Sequence, residues 1–158
     1  MRWVLGIDPG SAATGWALVG REGSHYSMNA AGVIRPKGPT RTARLGDLFI
    51  RLEELLKKYT PREAAVETPF SGKNPKSAIA LAEARGLILG VLGRHGVEVT
   101  GYAPAEVKKS IVGTGRAEKS QMIFMVRRLL SLDYDPPSDA ADAMSIALTH
   151  LARRREIR

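Results

Sequence analysis

The order of patterned segments along this chain predicts an α/β protein: a five-stranded mixed sheet, three antiparallel strands then two parallel ones, flanked by helices. Three observations carry that prediction. Three short strand-like runs crowd into the first 35 residues, as in an antiparallel meander. Each of the next two strand-like runs arrives only after a helical segment, and the remainder of the chain reads as helix.

Trp3-Val4-Leu5-Gly6-Ile7 is an apolar run closed by Asp8-Pro9-Gly10, which reads as a buried strand ending in a turn. Thr14 to Val19 supplies the second strand, and a weakly patterned third lies between Tyr26 and Arg35. Leu45, Leu48, Phe49, Leu52, Leu55 and Leu56 follow the 3.6-residue period, with Arg44, Arg51, Glu53, Lys57 and Lys58 on the other face, so an amphipathic helix is expected until Pro61 stops it. Ala64-Ala65-Val66-Glu67 is a short strand that breaks off at Pro69. Lys76 to His95 is a second helix with a broad apolar arc, most of it expected to pack on the sheet. Val97 to Tyr102 is a fifth strand, and residues 104–112 and 117–130 are two shorter helices. After Asp135-Pro136-Pro137, Ser138 is a suitable N-cap for a last helix running to about Arg153. No repeat, low-complexity tract or linker divides residues 1–158, which reads as one domain.

At 158 residues, 44% hydrophobic and 25% charged, the chain has the composition of a globular protein and enough length for its own core. A second catalytic domain would not fit. The formal charge of +8 and pI near 10.1 favour acidic partners, nucleic acid first among them for a compact basic domain. Cysteine is absent, so thiolate zinc and iron–sulfur sites are excluded, which is compatible with a reducing cytoplasm. No secretory signal is expected, and the apolar run around Leu87 to Leu92 is too short to span a bilayer.

Against this basic background, Asp8, Glu67, Asp139 and Asp142 stand at element ends. The meander leaves one edge of the first strand free, and a right-handed helical crossover brings the fourth strand to it in parallel. Asp8 and Glu67 then lie side by side at strand ends, where ligands of open α/β sheets gather. Asp139 and Asp142, three apart near the start of the last helix, point from nearly the same face. Four carboxylates within roughly 4 to 6 Å repel by about 3 to 4 kcal/mol per pair at an effective dielectric near 20, so such a cluster argues for cations, and hard oxygen donors suit Mg²⁺ or Mn²⁺. Each residue also has a plainer reading: Asp8 as a turn residue, Asp139 as a complement to the helix dipole, Glu67 and Asp142 as solvated positions.

Leu5-Gly6-Ile7-Asp8-Pro9-Gly10-Ser11 with Thr14-Gly15, Glu67 with Phe70 and Lys73-Asn74, Ala84-Arg85-Gly86, Val107-Lys108, and Val112-Gly113-Thr114-Gly115 form one set of motifs. Ala117-Glu118-Lys119-Ser120-Gln121 and Asp139-Ala140-Ala141-Asp142-Ala143 complete it. Over almost its whole length the chain resembles the RuvC family of bacterial Holliday-junction resolvases, within the RNase H-like superfamily. The resemblance implies a homodimer that binds a four-way DNA junction and nicks two strands symmetrically in recombination and repair. It further implies two Mg²⁺ per active site, replaceable by Mn²⁺, and a partnership with the RuvA–RuvB branch-migration complex on the nucleoid. Asp8, Glu67, Asp139 and Asp142 fall on the family's catalytic, metal-holding acids. Some relatives carry His at the position of Asp139, where this chain keeps a carboxylate.

The resemblance makes Phe70 an aromatic that stacks on a splayed base, worth roughly 1 to 3 kcal/mol; the plainer reading is a loop anchor. Lys108 and Lys119 match basic residues near the scissile phosphates, and the Gly113-Thr114-Gly115 turn between them allows close backbone approach to phosphate. Lys73, Lys76, Lys109 and Arg116 are further expected DNA contacts. Small residues Ala84, Gly86 and Gly90 on the second helix suit close packing of a second subunit. His150 reads as a helix-face residue rather than a general base. Two alternatives stay open at this point: another RNase H-like nuclease acting on RNA or a hybrid, or a junction-binding protein without catalysis.

Overall fold

The computed structural model describes residues 1–69 and 74–153. Five strands, β1 (Arg2–Asp8), β2 (Thr14–Glu22), β3 (His25–Ile34), β4 (Glu63–Glu67) and β5 (Glu98–Tyr102), form one sheet in the order β3-β2-β1-β4-β5. β1 is antiparallel to β2 and parallel to β4, and β5 is parallel to β4, which is the expected mixed topology. β1 sits at the centre with both faces covered, which is why it reads as an unbroken apolar run rather than an alternating one.

The pleat sorts its side chains between two layers. Leu5 and Ile7 face a core shared with Ala64 and Val66 of β4 and with the helices α1 (Arg41–Tyr59) and α2 (Pro75–Arg94). Val4 faces the opposite core with Ala17, Val19 and Ala65, under α3 (Pro104–Val112), α4 (Lys119–Leu129) and α5 (Ser138–Arg153). α5 is the central helix of that layer. It is buried from Ala140 nearly without interruption to Leu151, and its Ser145 and Thr149 hydroxyls donate to the carbonyls of Ala141 and Ser145 within the helix.

Glycines let α5 come this close. A Cβ on Gly6 of β1 would stand 2.1 Å from the Ala143 carbonyl oxygen, and one on Gly15 of β2 1.9 Å from that of Asp139. Glycine inside a strand often marks such an approach of another backbone.

Several boundaries differ from the sequence reading. α1 begins at Arg41, before its apolar period starts, because the Thr40 side chain caps it by accepting from the Ala43 N–H at 3.1 Å. α4 begins at Lys119 rather than 117, since Ala117 is buried in the core and the Glu118 N–H is satisfied by Gln121 Oε1 at 2.8 Å. The first backbone bond of α5 runs from the Ala141 N–H to the Pro137 carbonyl at 2.9 Å, which puts Pro137 at the cap and Ser138 in the first turn.

α2 carries the largest departure. Only Ala84, Ile88, Val91 and Leu92 are buried there, a narrow stripe. Ala84 therefore belongs to the core and not to an outer packing surface. Gly86 and Gly90 are exposed with open space where a Cβ would be, and Ile79 is 55% exposed.

Candidate active site

Alternation along β1 carries the direction of Val4 and Gly6 on to Asp8, so Asp8 faces the start of α5. Ala65 of β4 looks into the same layer, and Glu67, two residues on, follows it. The parallel register Leu5↔Ala64, Gly6↔Ala65, Ile7↔Val66 continues to place Asp8 beside Glu67 at adjoining strand ends. From the other side, the first turns of α5 lower Asp139 and Asp142 onto them.

One carboxylate oxygen each from Asp8, Asp139 and Asp142 lies within 4.8 Å of the others. Glu67 stands outside that threefold group but hydrogen-bonds Asp8, which also hydrogen-bonds Asp142. All four expected acids thus share one cleft. Burial, then the charges of Glu67 and Asp142, push the Asp8 carboxyl up to about 8. Burial also raises Glu67, with Asp142 adding to the shift while the hydrogen bond from Asp8 and the charges of Lys108 and Lys119 oppose it.

Lys119, at the start of α4, reaches across to Asp142, Nζ to Oδ2 2.9 Å. Burial works against its charge, yet this hydrogen bond and the surrounding carboxylates hold its ammonium above the usual value. A cavity of about 290 Å³ opens beside the acids, lined by Glu67, Asp142, Lys108 and Lys119 with Val107 and Met122. The donor set is carboxylate oxygen throughout, which fits a hard divalent cation. Burial first, and then the neighbouring carboxylates, keep a proton on Asp8 well above the ordinary carboxylate range, and a cation bound among these oxygens would relieve both.

The other expected contacts are more scattered. Lys76 is exposed in the first turn of α2 and Lys109 on α3; Arg116 is exposed in the turn between α3 and α4, where Gly113 caps α3 at φ 96. Phe70 and Lys73 lie outside the described residues.

His150 is nearly fully buried toward the other end of α5, about 12 Å along the helix from Asp142. Its Nδ1 meets the Tyr102 hydroxyl at 2.8 Å and its Nε2 meets Glu63 Oε2 at 3.0 Å, with Arg2 paired to the same glutamate. The sequence reading missed two features of the site: the pairing of Lys119 with Asp142, and the glycines that seat α5. Only the second left a signal, as glycine at two interior strand positions.

The family model described as crossover junction endodeoxyribonuclease RuvC matches residues 4–150. The crossover junction endodeoxyribonuclease RuvC of Nitratidesulfovibrio vulgaris (strain DP4) is 43% identical over 152 residues, covering 96% of this chain and 92% of that one. That of Anaeromyxobacter sp. (strain K) is 46% identical over 151 residues, covering 96% and 81%. Among solved structures, T. thermophilus RuvC in complex with a Holliday junction substrate superimposes with a TM-score of 0.91 at 33% identity, covering 98% of this chain and 96% of that one. The yeast mitochondrial Holliday junction resolvase Ydc2, at 16% identity and a TM-score of 0.64, shares the fold.

Proposed function

The chain belongs to the RuvC family of crossover junction endodeoxyribonucleases, and from that premise we propose that the four-carboxylate cleft is where it cuts a four-way DNA junction. The observation that carries the proposal is the convergence of Asp8, Asp139 and Asp142, with Glu67 bonded to Asp8, beside two lysines on a basic protein. Asp8, Glu67, Asp139 and Asp142 are proposed to hold two Mg²⁺ ions, with Mn²⁺ able to replace them. Bound there, the ions would activate water for in-line attack on the scissile phosphate and stabilise the leaving 3′ oxygen.

The protein's own groups have distinct tasks in this reading. The carboxylates at the ends of β1 and β4 and the start of α5 would hold the ions, which would supply positive charge to the phosphate. Lys119 orients Asp142 and offers its remaining N–H donors to the phosphate. Lys108 lines the same cavity and is assigned to the backbone of the strand being cut. Lys76, Lys109 and Arg116, exposed on neighbouring elements, hold the junction arms, and Phe70 and Lys73 are assigned to the junction from the family motif alone. Among the described residues no helix is long and apolar enough to cross a membrane. The RuvA–RuvB complex, acting on the nucleoid, is the partner that family membership suggests.

The direct test is incubation with a synthetic mobile four-way junction and Mg²⁺. Two symmetric nicks are expected; cutting of a duplex or an RNA–DNA hybrid in place of the junction would overturn the proposal.

A second test follows from Asp8. Its folded-state value near 8 means that below this pH the cluster keeps a proton that a metal ion must displace. Metal affinity should therefore climb with pH, by up to about tenfold per unit for one displaced proton, and level off above pH 8. Calorimetry of Mg²⁺ binding between pH 6 and 9 reads this directly, and an affinity flat across that range would contradict it.

The symmetric pair of nicks calls for two copies of the site, and we assign the dimer contact to α2. Gly86 and Gly90 lie four residues apart on its outer side, where an added Cβ would meet nothing within 4 Å outside the helix's own backbone, near the exposed Ile79, which lets a second helix approach closely. Gly90→Glu should give a monomer in sedimentation at micromolar concentration and nick junctions once rather than twice. Its fold should survive, because Glu is a better helix former than Gly by roughly 0.5 kcal/mol or more. A dimeric Gly90→Glu protein would move the interface elsewhere.

A further inference from the structure

We infer that Arg85 of α2 is a positioning residue for the cutting centre: it holds the backbone carbonyl at the end of β4 and so presents the Glu67 carboxylate to the acidic cluster. The inference rests on the reading of Glu67 as a metal ligand.

The Thr68 N–H bonds the Tyr102 carbonyl at 2.7 Å, so even-numbered residues of β4 bond toward β5 and odd-numbered ones toward β1. Continuing the β1–β4 register, the Glu67 carbonyl should receive the N–H of residue 9. Residue 9 is proline and has none. Arg85 supplies the missing donor, Nε to the Glu67 carbonyl oxygen at 3.3 Å.

Room for this is built in. A Cβ on Gly101 of β5 would stand 2.7 Å from Thr68 Oγ1 and 3.9 Å from Arg85 Nη2. Among the described residues Arg85 has no ion pair, so its charge and its fork are committed to no other carboxylate. The carbonyl and the side chain of Glu67 share one Cα at the last position of the strand. Holding the peptide plane therefore sets where the carboxylate points.

The test compares Arg85→Met, Arg85→Lys and Glu67→Gln in the full chain. The readouts are Mn²⁺ binding by calorimetry, single-turnover junction cleavage in Mg²⁺, junction affinity without divalent metal, and Tm. Arg85→Met should weaken Mn²⁺ binding and cleavage by about 10- to 100-fold, the range for groups that orient metal ligands. Junction affinity should stay within about twofold of wild type, and Arg85→Lys, which keeps the charge and N–H donors but not the planar fork, should lose less Mn²⁺ binding and cleavage than Arg85→Met. Wild-type Mn²⁺ binding in both Arg85 variants overturns the inference. So does a cleavage loss matched by lost junction binding at unchanged Mn²⁺ affinity, which would make Arg85 a DNA contact. If Arg85→Met does not fold, Arg85→Lys decides by the same criteria. Wild-type cleavage and Mn²⁺ binding in Glu67→Gln would instead remove the underlying reading of Glu67; loss in Glu67→Gln with none in either Arg85 variant removes the inference alone.

Discussion

Asp8→Asn should abolish junction cleavage and, in the same molecule, make the metal-free protein more stable. Asp8 touches both Glu67 and Asp142 and belongs to the threefold oxygen group, so it is the carboxylate most central to the cluster. Losing a ligand that bridges the site should cost at least about 10³-fold in single-turnover rate, some 4 kcal/mol of barrier. The stability effect has the opposite sign for a physical reason. The folded protein holds the Asp8 proton up to about pH 8, whereas the ordinary value is 3.8. Between those limits the folded state binds more protons than the unfolded one, so metal-free stability is fully present below about pH 4 and is lost as pH rises toward 8. Asparagine keeps the shape, removes the charge and offers an N–H₂ donor to Glu67. About 1 to 2 kcal/mol at pH 8, or roughly 3 to 6 °C in Tm, is a reasonable size for a chain of this length. Melting curves of the two proteins in chelator should nearly coincide at pH 4, draw apart as the pH rises, and differ most at pH 8. Adding Mg²⁺ should raise the wild-type Tm and leave Asp8→Asn nearly unmoved. An Asp8→Asn protein that still makes paired nicks would remove the metal-site reading altogether.

Why Asp8 was visible in the sequence, and its supports were not, follows from range. The turn Asp8-Pro9-Gly10 after an apolar run, the strand ending at Glu67 and the helix start around Asp139 are local patterns. One chirality rule for the crossover was enough to bring the first two together. Asp139 and Asp142 needed only the helical repeat. What stayed hidden depends on distances between elements remote in sequence. Lys119 reads as one more solvated lysine until α4 is packed beside α5, and only then does its ammonium meet Asp142. On α2 the sequence pointed most of the broad apolar arc at the sheet and Ala84, Gly86 and Gly90 at a second subunit, because periodicity reports how much apolar surface a helix has, not what covers it. The structure divides that arc, burying Ala84 and leaving Gly86, Gly90 and Ile79 outside. Cap positions moved by a residue or more for a local reason instead. Thr40 extends α1 through a side-chain bond that carries no hydrophobic period.

The largest structural effect is expected at Gly15, a residue with no chemistry of its own. An added methyl at this position would lie 1.9 Å from the Asp139 carbonyl oxygen and 2.5 Å from its carbonyl carbon, where a carbon–oxygen contact needs roughly 3.3 Å. Both partners are backbone, so no side chain can rotate out of the way, and the start of α5 must move by about 1 Å or more. The bill has two parts. Overpacking of this kind costs about 1 to 3 kcal/mol, and the upper end is expected because the helix is buried along most of its length. That corresponds to a Tm lower by roughly 5 to 12 °C. The displaced segment carries Asp139 and leads directly to Asp142, so the carboxylates shift relative to Asp8 and Glu67, and a misplacement of that order costs about 10²-fold in rate. Gly15→Ala should therefore lose cleavage even at temperatures where it is fully folded. Gly46→Ala is the control: Gly46 lies inside α1, where an added Cβ would meet nothing within 4 Å outside the helix's own backbone, and alanine there should stabilise the helix by up to about 1 kcal/mol without touching the rate. A Gly15→Ala protein with wild-type Tm and wild-type cleavage would mean that α5 does not sit against β2 at this distance, and that the site is not assembled by the close docking of that helix.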